Sequence, residues 1–429
     1  MCRFETVRAT GHVRSRQEMS STSTVPFAGS ASRPPGSVTL RILSTSLQIL
    51  LCYFAIGLPM AVLPGVVHLR LHFNTVLAGL AISAQYVATV LSRPQAGRMA
   101  DTVGARRTVL SGLMISGFSG ICLFACGFLG SLPLACLALM LLSRLILGFG
   151  ESWLATGSSL WGIARVGPEH TARVISWSGI CSYGGLAIGA PAGVWIERAW
   201  GLHGVGLVSA ATSCLGLLAA YPLAEAPVAK GKPLAFRHVL NRVLPHGMSL
   251  ALATTGFGTI ASFMVLFYAH NHWANAAFAL TSFGAAFILA RLTFAHSIDR
   301  WGGFPVAFVC LTVETAGLLF LWQAHAPAMA FAGAALTGFG FSLVFPALGV
   351  EAVNCVTAEN RGSALGIFTA FADLSLGVTG PLIGLIVAGF GYSPIFLFAA
   401  LMAAVALGVT LMLYRRIAIE SPCALATAD

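Results

Sequence analysis

Asp373, Glu151, Arg144 and Glu314 are ionisable residues set inside long apolar runs. A carboxylate in an apolar cavity can load and release a proton near neutral pH. Asp373, in Phe371-Ala372-Asp373-Leu374-Ser375, is therefore the first candidate for a proton carrier and Glu151 the second. Arg144 lies near the middle of its run, where a charge costs at least ~2.5 kcal/mol on insertion scales and must face a cavity or a partner. Glu151 follows it two helical turns on, along the same face. The plainer alternative is a buried pair that only holds helices together. Glu314 has no evident role, and Glu351, at the end of its run, is expected to pair with Arg291 or Arg300.

A second constellation is a charged turn that occurs twice. Arg93-x3-Gly97-x3-Asp101-x2-Gly104 recurs 198 positions on as Arg291-x3-Ala295-x3-Asp299-x2-Gly302. Gly97 and Gly104 are expected to permit close helix approach and a tight turn. Asp101 can face the positive end of a neighbouring helix, and Arg106 and Arg107 can grip anionic lipid headgroups. The set reads as a gate latch, or as a solvated turn that only sets topology. Two further landmarks repeat at a spacing of 190: Gly148-Phe149-Gly150 with Gly338-Phe339-Gly340, and Pro191 with Pro381. Gly189 with Pro191, and Gly380 with Pro381, mark a hinge or close helix packing. Gln48, Tyr53, Gln85, Tyr86, Trp177, Tyr183, Thr255 and Tyr268 are the polar and aromatic candidates for lining a substrate cavity. Pro59 and Pro64 should bend or break their helix, as near many transporter sites.

The elements that position these residues follow from composition. The 429-residue chain is 57% hydrophobic and 9% charged, with a mean hydropathy of +0.84. Soluble domains carry about 25% charged residues, so the solvent for most of this chain is lipid. Lipid admits only helices and closed barrels. The apolar runs are long and do not alternate, which excludes a barrel. The net charge of +10 sits in loops between apolar runs, which argues for topology control and against nucleic-acid binding. The ten cysteines show neither metal-ligand spacing nor a disulfide framework. His270 and His272 read as loop histidines, and no metal or cofactor is expected.

Twelve spans are expected near 42–64, 75–93, 107–129, 132–160, 173–196, 203–223, 246–269, 274–298, 304–324, 328–350, 362–390 and 393–414. With both termini cytoplasmic, all Lys and Arg except Arg70, Arg144 and Arg198 fall in or facing cytoplasmic segments. The expected organisation is a disordered tail (1–40), a first six-helix bundle (41–223), a cytoplasmic linker (224–245), a second bundle (246–416) and a short tail (417–429). Part of the linker, Phe236 to Leu244, could lie on the membrane surface as an amphipathic helix. The first forty residues lack the apolar core of a signal peptide, and translation starting at Met19 is an alternative to Met1.

The turn Gly97-x3-Asp101-x2-Gly104-x-Arg106-Arg107 resembles the signature loop of the major facilitator superfamily. Arg144-x3-Gly148-x-Gly150-Glu151 resembles a second motif of its proton-coupled members, and the Gly-Pro stretches at Pro191 and Pro381 resemble that of its antiporters. Runs such as Leu91-Ser92-Arg93-Pro94-Gln95-Ala96-Gly97-Arg98 and Asp373-Leu374-Ser375-Leu376-Gly377-Val378-Thr379-Gly380-Pro381 resemble the YhhS-type branch of bacterial inner-membrane, sugar-efflux-like permeases. The resemblance implies an all-α membrane protein of two six-helix bundles, monomeric, moving a small organic solute by alternating access, with Asp101 and the basic pair in a cytoplasmic gate. Proton-coupled efflux is the leading expectation. Proton-coupled uptake and a non-transporting sensor are the alternatives, and no enzyme motif appears.

Overall fold

The protein is described by a computed structural model, which covers residues 35–167, 170–225, 236–294, 296–356 and 361–425. Among these residues, helices account for every regular element. We number the membrane-length helices α1 (Pro35–Met60), α2 (Thr75–Thr102), α3 (Ala105–Cys126), α4 (Pro133–Val166), α5 and α6 (171–200 and 202–220), α7 (Phe236–His270), α8 (Ala277–Thr293), α9 (Gly303–Trp322), α10 (Pro327–Asn354), α11 (Arg361–Phe390) and α12 (Pro394–Leu425). α5 and α6 follow one another with no intervening loop, and the chain turns between them at Gly201, whose φ is +67°. The twelve expected spans are thus present.

Local chemistry sets the ends. The Asn74 side chain accepts from Leu77 N at 2.9 Å and caps α2. Pro133 and Pro327 open α4 and α10, where a missing N–H costs nothing. Both copies of the charged turn end on a glycine with positive φ, Gly104 (φ 108°) and Gly302 (φ 85°), which other residues adopt only with strain. Pro59 and Pro64 do interrupt the first span. α1 stops at Met60, and the chain resumes as a short turn, Leu63–Gly65, and a π turn, Val66–Arg70. α7 already begins at Phe236, inside the stretch expected as linker, and is continuous through Pro245 into its span. Residues 1–34, 226–235 and 426–429, parts of the expected tails and linker, lie outside the described residues.

The repeat is structural as well as sequential. In the first half, a Cβ on Gly148 (α4) would fall 2.0 Å from the backbone oxygen of Gln85 (α2). In the second, a Cβ on Gly338 (α10) would fall 2.2 Å from that of Phe283 (α8). Large apolar side chains such as Leu134, Phe118 and Phe390 face outward, as lipid requires. The two bundles meet along α2 with α11 and α5 with α8.

That meeting is uneven along the bundle axis. On the half away from the charged turns it is tight. Thr75 Oγ1 donates to Gly384 O at 2.7 Å, Ser83 Oγ donates to Leu376 O at 2.7 Å, and Gly380 N donates to Ser83 Oγ at 3.0 Å. A Cβ on Gly79 would fall 2.1 Å from Gly380 O, so two glycines bring α2 and α11 into backbone contact. On the other seam Thr281 Oγ1 donates to Ala187 O at 2.8 Å. On the charged-turn half, residues 175–183 of α5 and 369–372 of α11 are largely half-exposed. The seal therefore lies opposite the charged turns, and the centre opens toward them.

Candidate functional site

At the centre of this opening, Arg93 on α2 pairs through Nε with Asp373 Oδ2 on α11, an ion pair that crosses from one bundle to the other. Asp373 is buried and Arg93 is about one-fifth exposed. Glu151 lies beside it on α4. Gln85 Nε2 donates to Glu151 Oε2 at 2.5 Å, and Thr89 Oγ1 approaches the same oxygen at 3.4 Å. Arg144 Nη2 donates to Gln85 Oε1. Arg144 and Glu151 thus face one another through the Gln85 amide rather than as a direct pair. One side chain on α2 bridges an arginine and a carboxylate on α4. The glycine in Arg144-x3-Gly148 lets α4 lie close enough for this, and Thr89 also donates to Gly148 O at 3.2 Å. Arg144 Nε and Nη1 have no partner among the described residues; the residue lines a water-sized void with Ser116, Ser119 and Ser143.

Applying the repeat spacings to this site gives its counterpart. Gln85, Thr89 and Arg93 map to Phe283, Phe287 and Arg291, Glu151 to Phe341, and Asp373 to Tyr183. The structure brings these together as an aromatic cluster. Tyr183 stacks on Phe287 with ring centroids 3.8 Å apart, and Phe257 lies 5.3 Å from Tyr183 and 5.2 Å from Phe283. Arg291 also reaches the other bundle. Its Cζ sits 4.9 Å from the Phe287 ring centre, its Nη2 donates to Ser342 O at 2.6 Å, and it packs on Gly179 of α5. No carboxylate meets Arg291 among the described residues.

The residues expected from sequence divide on this geometry. Tyr183 stands at the bundle interface against Phe257 and Phe287, Gln85 lies within the first bundle against α4, and Thr255 lies within the second, facing Ser375 at 3.4 Å. Tyr53 and Tyr86 are central neighbours of Glu151, and Trp177 is on the half-exposed stretch of α5. Gln48 is not in the cavity: it is fully buried toward Gly216 of α6, with no hydrogen-bond partner among the described residues. Tyr268 sits at the opposite end, its hydroxyl donating to Pro327 O at 3.2 Å. Gly97 has open space where a Cβ would stand, so it serves no close approach. Arg106 and Arg107 turn toward Glu225, at 3.5 and 3.6 Å, and Arg106 also donates to Tyr221 O. They tie the turn to the end of α6 within the first bundle. Asp101 and Asp299 are exposed and make no ion pair with a described residue, so in this conformation neither turn latches. Ala295 lies outside the described residues.

Glu351 accepts from Gly303 N at 3.0 Å and caps α9; the expected pairing with Arg291 or Arg300 does not form. Gly189 packs on Phe54 of α1 within its bundle, whereas Gly380 packs across the interface on Gly79 and Ser83. Glu314 is fully buried, with neither oxygen partnered among the described residues. The spacing of 198 places it at the counterpart of Ser116. Sequence reading passed over Thr89 and the aromatic cluster. The repeat itself was the available signal, since it maps each polar central residue onto an aromatic one.

Two six-helix bundles that meet along α2 with α11 and α5 with α8, with buried charges on one side of the centre, have the architecture of a membrane transporter. The Major Facilitator Superfamily profile matches residues 45–271 and 247–423. An uncharacterized MFS-type transporter of Burkholderia mallei (strain SAVP1) is 52% identical over 380 residues, covering 89% of this chain and 93% of that protein. One from Pseudomonas aeruginosa (strain UCBPP-PA14) is 52% identical over 380 residues, covering 89% and 94%. Among solved structures, a D-xylose–proton symporter aligns with a TM-score of 0.70 at 16% identity, covering 86% of this chain and 97% of that one. The human organic anion transporter MFSD10 aligns with a TM-score of 0.68 at 15% identity, covering 88% and 100%. The chain belongs to the Major Facilitator Superfamily.

Proposed function

We propose that this transporter exports a small organic solute from the cytoplasm in exchange for protons, as a monomer and without a cofactor. The reading rests above all on the Arg93–Asp373 ion pair, which joins the bundles at the point where the central opening begins. A protonated Asp373 cannot hold Arg93 as an ion pair, so proton and bundle contact compete for one carboxylate. With Asp373 charged, as in this structure, the pair links α2 to α11 at the centre; with Asp373 protonated, that link is released. A proton can shift the equilibrium only through such a difference between states. Glu151 is the second proton site, held by Gln85 and Thr89. The charge bias of the loops supports a reading with the charged turns and both termini on the cytoplasmic side of a bacterial inner membrane.

The test uses proteoliposomes and a solute first identified by thermal shift on the purified protein, since a ligand of the native state raises its melting temperature. Export by exchange predicts that an inwardly directed proton gradient drives the solute outward. Asp373→Asn and Glu151→Gln should keep counterflow but lose the gradient dependence. Normal gradient dependence in both variants would overturn the coupling assignment. Accumulation in the direction of the proton gradient would make the protein a symporter, as in the D-xylose neighbour, and absence of counterflow would leave a sensor.

A further inference from the structure

The seams between the bundles are not equivalent on their sealed half. Along α2 and α11, Thr75, Gly79 and Ser83 meet Leu376, Gly380 and Gly384 backbone to backbone. The repeat spacings put Trp273, just before α8, and Ala277 and Thr281, on α8, at the first three positions, and Val194 of α5 at the position of Gly384. Thr281 still makes its contact with Ala187. Beyond it the bulkier side chains cannot zip, and a cavity of about 450 Å³ opens between the end of α1 and helices α5, α7 and α8. That volume lies in the range of small-molecule sites.

Its lining is chemically specific. Arg70 and Arg198 are the two basic residues outside the spans that the charge bias does not account for, and both stand on this cavity. Glu197 lies between them and pairs with Arg70 at 2.5 Å. Arg198 is exposed and makes no ion pair with a described residue. The rim therefore carries one guanidinium already engaged and one free to take an incoming anion in a forked hydrogen bond. The walls are Trp195, Trp273 and Tyr268, the last two in edge contact at 5.4 Å. An aromatic wall under a free guanidinium suits a ligand with an apolar or aromatic body and a single anionic head.

We propose that this cavity is a second ligand site, separate from the central one, which binds organic carboxylates with an aromatic or apolar body. Its role as a station outside the central cavity rests on the transport reading above; binding itself does not. The probe is 1-naphthylacetate, with neutral 1-naphthylacetamide as its isostere, titrated calorimetrically into the purified full-length protein in nanodiscs. The acid should bind at least about tenfold more tightly than the amide, the equivalent of ~1.4 kcal/mol. Arg198→Gln should weaken the acid by about the same factor and leave the amide unchanged. Glu197→Gln, which removes the rim carboxylate, should tighten the acid, and this gain guards against reading a folding defect as lost binding. Asp373→Asn, which shifts the bundle equilibrium, should change both affinities by the same factor and leave the preference for the acid over the amide intact. Equal binding of acid and amide, or acid binding indifferent to both rim substitutions, would overturn the proposal. Acid binding lost in Asp373→Asn but not in Arg198→Gln would place the probe in the central cavity, overturning the second site while leaving the central reading intact.

Discussion

The two halves place the same backbone positions around the centre and fill them with different chemistry. On the α2–α4–α11 side the positions hold Gln85, Thr89, Arg93, Glu151 and Asp373, a connected set of charges and amides. On the α8–α10–α5 side they hold Phe283, Phe287, Arg291, Phe341 and Tyr183, an aromatic cluster with one arginine. Both arginines reach across to the other bundle, but only Arg93 finds a carboxylate. Duplication thus gave the frame, and side-chain replacement divided the labour. On the proposed reading the first seam responds to protons, whereas the second offers an aromatic surface with no carboxylate for its arginine among the described residues. A proton-linked equilibrium needs only one such seam, because each bundle moves as a packed body.

The largest expected consequence is functional. Asp373→Asn should reduce gradient-driven accumulation in proteoliposomes at least about tenfold, a loss of ~1.4 kcal/mol of coupling. Tyr183→Phe, at the counterpart position, should leave it nearly unchanged. Equal losses would erase the division between the seams.

A second comparison concerns the sealed half. Gly380→Val would put a side chain into Gly79 O and Ser83 Oγ, each already 2.3 Å from a Cβ there. The seal should fail, and a cysteine placed at Tyr53 should become reactive to an impermeant maleimide added from the face opposite the charged turns. Thr281→Val, which removes the single hydrogen bond of the other seam, should raise that labelling far less, in keeping with ~0.5–1.5 kcal/mol for one hydrogen bond.

Third, Gln85→Leu leaves Arg144 and Glu151 buried without their bridge and should lower stability by roughly 1–3 kcal/mol, seen in thermal unfolding of the purified protein. Phe283→Leu, its counterpart, trims an apolar contact and should cost less. The smallest effect is expected at the turns. Asp101→Asn should raise accessibility labelling from the charged-turn side in states where that side is closed. Asp299→Asn, whose turn lacks the basic pair tied to Glu225, should do so less.

Much of the frame was legible in the sequence because lipid leaves the backbone so few options. Span number, the break at Pro59 and Pro64, and the duplicated turns all follow from apolar length, proline chemistry and spacing. Asp373, Glu151 and Arg144 stood out because a charge in an apolar run must have a reason to be there. Facing was not legible. In a membrane bundle, apolarity does not distinguish a lipid-facing from a core-facing or cavity-facing position, so Gln48 lines no cavity at all and Tyr268 lines the cavity of the opposite half instead of the centre. Partner choice was equally hidden. Glu351 caps a helix instead of meeting an arginine, and Arg106 and Arg107 meet Glu225, which lies far from them in sequence. The Arg93–Asp373 pair joins residues 280 apart, and only the packing of α2 on α11 brings them together.

The central claim, that a proton and Arg93 compete for Asp373, is tested most directly by pulsed electron paramagnetic resonance. Spin labels at Thr102 on α2 and Asn354 on α10 report the separation of the two bundles on the charged-turn side. Acidification should shift the population toward longer distances as Asp373 is protonated and released. Asp373→Asn should hold the long-distance population at every pH. Distance distributions that respond to pH in Asp373→Asn as they do in the unaltered protein would contradict the account.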